Sequence, residues 1–150
     1  MKTSGKNVLI LEDIEDYQNL ISNIVKDFNF NIIETISSTE KVLDFILENS
    51  KNLDLIILDS LVGGHVEVWE IAKKINKKTD ISIIFITIPE YENRDLKLNN
   101  VRKLFIDINK NNGEFYEQEL KNNIKLSLNK YKSNQKLKNE EIIKLFKGVN

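Results

Sequence analysis

The hydrophobic positions along this chain switch repeatedly between two periods. Unbroken apolar runs stand at "NVLIL" (7–11), "NIIET" (31–35), Leu55-Ile56-Ile57-Leu58, "ISIIFIT" (81–87) and "KLFIDI" (103–108). Each reads as a strand, and the Leu55–Leu58 run, apolar without polar alternation, predicts one covered on both faces, as does the buried fourth run. Between them the apolar residues fall three or four apart. From Glu15 to about Asn29, the residues Leu20, Ile21, Ile24, Val25 and Phe28 mark a helix. Ser37 with Glu40 reads as a capping box opening a second helix, which carries Val42, Leu43, Ile46 and Leu47. A third runs through Trp69, Ala72 and Ile75 after Gly63-Gly64. Pro89 breaks the fourth strand, and a polar, weakly periodic helix is expected from about Tyr91 to Asn99. Tyr116, Leu120, Ile124 and Leu128 define a fifth helix.

Strand and helix in strict alternation predict an α/β fold, a doubly wound five-stranded parallel sheet with five flanking helices. In an open sheet of this kind the site lies beyond the carboxyl ends of the strands. Those ends are therefore the positions to inspect. Strand one runs into Glu12-Asp13, strand three ends at Asp59, strand four at Thr87, and strand five leads toward Asn109-Lys110.

Composition narrows the chemistry. The chain has 150 residues with 22 basic against 23 acidic side chains, a net charge of -1 that offers no bulk attraction for nucleic acid. It has no cysteine, so disulfides, thiolate metal sites and Cys nucleophiles are excluded, and its single histidine, His65, cannot build a multi-histidine centre. Neither a signal peptide nor a membrane span is expected, and a soluble cytoplasmic protein is the default reading. Carboxylates brought together at one sheet edge repel one another and titrate upward unless a cation sits among them. Oxygen ligands without His or Cys suit a hard cation, Mg²⁺ first. Acids, a hydroxyl and a lysine together suit phosphoryl transfer to a carboxylate.

On these motifs the chain resembles the receiver domains of two-component response regulators, over roughly residues 6 to 131. "VLILEDIED" resembles the family's first strand and acidic pair, "DLIILDSLVGG" its phosphoacceptor strand, and "DISIIFITI" its fourth strand with the switch hydroxyl. The resemblance implies the flavodoxin-like strand order 2-1-3-4-5. It also implies that Asp59 accepts a phosphoryl group from a histidine kinase or phosphotransfer protein. Asp13, Asp59 and the carbonyl of Leu61 would bind Mg²⁺ directly and Glu12 through water. Thr87 would hydrogen-bond the phosphoryl oxygens and Lys110 would neutralise them. The chain departs from the family in three places: Val68 stands where this loop variant carries a helix-leading glycine, the fourth helix region is polar, and no proline follows Lys110. By its distance from Thr87, Asn109 competes with Lys110 for the lysine position.

Other readings of the same residues are structural. Glu12-Asp13 also suits a helix N-terminus, and Asp59 a turn or N-cap. His65 is expected to be an exposed loop residue and Trp69 a helix-packing residue. Gly63-Gly64 is too short for a phosphate loop. Phe105 is a candidate for the aromatic that many receivers reorient. A dehalogenase-type phosphatase also places an Asp after an apolar strand, but it needs a second acid where this chain has Leu61. The expected role is therefore a signalling switch, not an enzyme, with a degenerate receiver serving only protein interaction as the alternative.

Residues 1–131 are assigned to this domain and 132–150 to a polar linker and a short amphipathic helix, either in a stand-alone receiver or in a piece of a larger protein. The tail sets Ile142, Ile143, Leu145 and Phe146 largely on one side, and ten or so residues are marginal as an isolated helix. Our hypothesis is that the tail packs on a neighbouring surface and helps form a homodimer. Truncation after Tyr131 is expected to lower the mass measured by light scattering or the melting temperature. Identical values for both chains would exclude either role.

Overall fold

The computed structural model describes residues 5–92, 97–106 and 116–127. The tail from 132 to 150, with Asn109 and Lys110, lies outside the described residues. The elements follow the expected alternation: β1 (Asn7–Leu11), α1 (Glu15–Asp27), β2 (Asn31–Ile36), α2 (Val42–Asn49), β3 (Leu55–Asp59), α3 (His65–Lys78), β4 (Ser82–Thr87) and β5 (Val101–Phe105). A fourth helix, α4, covers 116–127. The strands form one parallel sheet in the order β2-β1-β3-β4-β5.

Side chains alternate across the sheet, so each buried strand feeds two cores. Leu9, Leu11, Ile56, Leu58, Ile83 and Phe85 face α2 and α3, where they meet Val42, Ile46, Val68, Trp69, Ala72 and Ile75. Val8, Ile10, Leu55, Ile57, Ile84 and Ile86 face α1 and α4, meeting Ile21, Ile24, Val25, Tyr116, Leu120 and Ile124. All of β3 is buried, which is why its sequence lacks a polar alternation. Each fully buried aliphatic side chain here stabilises the fold by about 1.5–3 kcal/mol before entropy is counted.

Four expectations change. First, β5 starts at Val101, two positions before the apolar run begins at Lys103. As an edge strand it tolerates charge: Arg102 Nε donates to Asn123 Oδ1 at 3.2 Å, and Lys103 Nζ sits 4.7 Å from the centre of the Trp69 ring. Second, no α-helix occupies the described part of 91–99. Tyr91 closes a single 3₁₀ turn (Pro89–Tyr91), and Asn99 lies in the turn leading to β5. Leu98 packs against the core, and positions 93–96 lie outside the described residues.

Third, Ser37 and Glu40 do not cap α2, whose N-cap is Lys41 without a side-chain bond. The loop is held instead by Thr39, whose hydroxyl donates to Glu67 Oε1 on α3 at 2.7 Å. Fourth, His65 is buried at the first position of α3 and is not an exposed loop residue.

The β3–α3 loop depends on Gly63. Its φ of 80° lies in the left-handed region, and a Cβ there would stand 2.9 Å from Thr39 Cγ2. Gly63→Ala is expected to destabilise the fold by about 1–3 kcal/mol, read from urea unfolding. In a Thr39→Ser background, which removes that methyl and keeps the hydroxyl, the loss should shrink. An equal loss in both backgrounds would show that the close approach does not matter.

Candidate functional site

Strand alternation decides which side chains meet at the carboxyl edge. Asp59 continues the Leu55–Ile57 side of β3, facing α1 and α4. Glu12 continues the Val8–Ile10 side of β1, and its backbone extends the ladder by donating from N to Ile36 O at 3.0 Å. The two carboxyls therefore share one face on adjacent strands. Glu12 is completely buried and Asp59 is 5% exposed. Asp13, one residue past Glu12, is exposed.

Glu12 Oε1 accepts from Ile14 N at 3.3 Å, and Asp59 Oδ1 accepts from Leu61 N at 2.9 Å. Burial, followed by the hydrogen bond and charge of Asp59, pushes the Glu12 carboxyl up to about 9. Burial also raises Asp59, while its bonds with Glu12 and the Leu61 amide pull in the opposite direction. Two close carboxyls in a dry site resist double ionisation, so burial and mutual repulsion push the pair toward holding a proton between them. Among the described residues no lysine or arginine is ion-paired with Glu12, Asp13 or Asp59.

Ionised, Glu12 would leave Oε2 buried without a donor. Such an oxygen requires a proton or a cation. The donor set of Glu12, Asp59, nearby Asp13 and main-chain oxygen fits a hard divalent ion that keeps several waters. No ready-made cage of three acidic or imidazole groups exists among the described residues.

Thr87 has the opposite parity to Asp59. It is fully buried, and its Oγ1 lies 2.9 Å from His65 Nδ1 on the α3 side of the sheet. Leu61 is half exposed and meets Asp59 through its amide. Phe105 stands level with Thr87 in the β4–β5 register. Lys110 and Asn109 follow the end of β5 and lie outside the described residues.

Two residues of this edge were not identified in the sequence. His65 follows Gly63-Gly64 at the sheet's carboxyl edge, which signals its nearness but not the direction of its ring. Tyr116 begins the described part of α4, buried against Tyr17 at 5.7 Å between ring centres. Burial, then the charges of Asp59 and Glu12, raises its phenol above the ordinary tyrosine value. Its sequence signal was only that of a core residue.

Solved structures share this architecture. The N-terminal domain of a response regulator/sensory box/GGDEF 3-domain protein from Carboxydothermus hydrogenoformans matches at 20% identity and TM-score 0.64, over 86% of this chain and 98% of that one. A response regulator receiver domain protein from Clostridium thermocellum matches at 17% and 0.62, over 85% and 97%. A receiver domain protein from Bacillus halodurans matches at 17% and 0.58, over 81% and 96%. No protein-family model and no curated protein matches the chain. The fold is that of the response regulator receiver domains, as the strand-end motifs implied. No helix among the described residues is long and apolar enough to cross a membrane.

The raised Glu12 carboxyl has a consequence for stability. Unfolded, Glu12 ionises near its ordinary 4.5, whereas folded it holds its proton until about 9. Between those values unfolding releases a proton, so stability falls as pH rises. Glu12→Gln is expected to flatten that decline in urea midpoints measured in metal-free buffer. A decline of unchanged slope would place its origin in another group.

Proposed function

We propose that this chain is a phosphorylation-controlled signalling switch of a two-component system, with Asp59 as the phosphoacceptor and Mg²⁺ as its cofactor. The observation that carries the reading is the buried Glu12–Asp59 pair at the carboxyl edge of a receiver-type sheet. Glu12, Asp13, Asp59 and the carbonyl of Leu61 are the groups that would hold the ion. Bound there, Mg²⁺ spreads the charge of the transferring phosphoryl group.

The chain's own residues position the reaction. The Leu61 amide fixes Asp59 Oδ1, which leaves Oδ2 as the attacking oxygen. In the transfer, the P–N bond of a phosphohistidine on a histidine kinase or phosphotransfer protein breaks as the P–O bond to Asp59 forms. A cation bound there would give an ionised Glu12 a partner for Oε2, which otherwise lies buried without a donor. Thr87 supplies a hydroxyl donor for a phosphoryl oxygen, and Lys110 a countercharge. The role is that of an acceptor whose phosphorylated form shifts an existing equilibrium, with no turnover of an external substrate. A cytoplasmic setting suits such a partner.

One observation favours the alternative, a degenerate receiver that serves only protein interaction. β5 ends at Phe105, well before Lys110, so no lysine closes that strand.

Incubation with a small acyl phosphate and Mg²⁺ separates the readings. Phosphate incorporation is expected in the wild type and in Thr87→Ala, and its loss is expected in Asp59→Asn. Asp13→Ala should weaken Mg²⁺ binding, followed by Trp69 fluorescence, by about tenfold or more. Failure of the wild type to take up phosphate would leave the interaction module as the better account.

A further inference from the structure

His65 forms a buried pair with Thr87, and the proposed phosphoryl chemistry gives the imidazole no role. Nδ1 of the imidazole lies 2.9 Å from the hydroxyl. The ring lies flat on Tyr91, with centres 4.1 Å apart and planes at 15°. Phe85 meets it edge-on at 5.3 Å, and Trp69 lies parallel at 6.3 Å. Gly63 and Gly64, both at positive φ, lead into the helix that His65 opens, so the backbone sets where the ring enters the sheet edge. Phe105 is level with Thr87, yet among the described residues no ring contact joins it to His65.

A threonine hydroxyl has one hydrogen to give. It goes either to the imidazole nitrogen or to another acceptor. In the second case the imidazole must itself donate, or the bond breaks. The direction of the hydroxyl and the state of the ring are therefore set together, and Tyr91 lies against that ring.

We propose that His65 is the positioning residue of the Thr87 hydroxyl, and that its ring transmits the state of that hydroxyl to Tyr91 and the first turn of α3. The link to signalling rests on Asp59 being the phosphoacceptor. A phosphoryl oxygen that takes the Thr87 hydrogen changes the His65 bond, and the change reaches Tyr91 through the stack. The route lies on the β3–α3 and β4 loops and does not involve an aromatic of β5.

The coupling is tested first without phosphate. The chain has one histidine, so its ring signals are unambiguous in NMR. Thr87→Val is expected to shift the His65 Nδ1 resonance and the Tyr91 ring signals. In a His65→Phe background, which keeps a ring and loses the nitrogen, the same change should leave Tyr91 in place. Equal displacement of Tyr91 in both backgrounds overturns the proposal, as does an unmoved Nδ1 resonance in Thr87→Val, which needs no variant of His65. A second arm adds acyl phosphate and Mg²⁺ to the wild type. Phosphate on Asp59 with displaced Tyr91 signals supports the route, and phosphate with unmoved Tyr91 overturns it. Absence of incorporation counts against the acceptor reading alone, since the first arm has already decided the coupling.

Discussion

Glu12 and Asp59 lie on adjacent strands and on one face of the sheet, and without a cation the pair must keep a proton. That constraint organises the carboxyl edge. The same burial that stabilises β1 and β3 removes the water that would otherwise solvate two charges. The fold tolerates the pair because the Leu61 and Ile14 amides each satisfy one oxygen and a shared proton satisfies the rest. A site arranged in this way stores unfavourable electrostatics that a cation can relieve, which is the physical basis for reading it as functional.

The loops around the pair follow from how closely they approach one another. Gly63 allows the β3–α3 loop to pass against Thr39, and Thr39 ties the β2–α2 loop to Glu67 on α3. Within seven positions, from Asp59 to His65, that loop supplies the buried Asp59 carboxyl, the amide that orients it and the imidazole that meets Thr87. The acid face and the hydroxyl face of the sheet edge are thus connected through one short segment.

Much of this was legible in the residues. Apolar runs at Leu9–Leu11, Ile56–Leu58 and Ile83–Ile86 named the central strands, because strands buried on both faces cannot alternate. Glu12, Asp59 and Thr87 stood out because each interrupts such a run at its carboxyl end. Where local pattern and tertiary partner disagreed, the partner won. The apolar run expected for the fifth strand left Arg102 outside it, yet Arg102 lies within β5 and Asn123 accepts its hydrogen bond. The capping box at Ser37 and Glu40 gave way to a turn pinned from another helix.

The sequence by itself determined the order of the elements, the parallel α/β class and the acids that end β1 and β3, since these depend on hydrophobic period and on where it breaks. Only the tertiary structure decided which side chains face each other. The parity of each strand puts Glu12 with Asp59 and turns Thr87 to the opposite face, and a one-residue change of register would have reversed it. His65 and Thr87 are 22 positions apart and lie on different elements, so no local pattern could join them. The raised Glu12 carboxyl likewise arises from burial and from a neighbour on the adjacent strand, and no period in the chain records either.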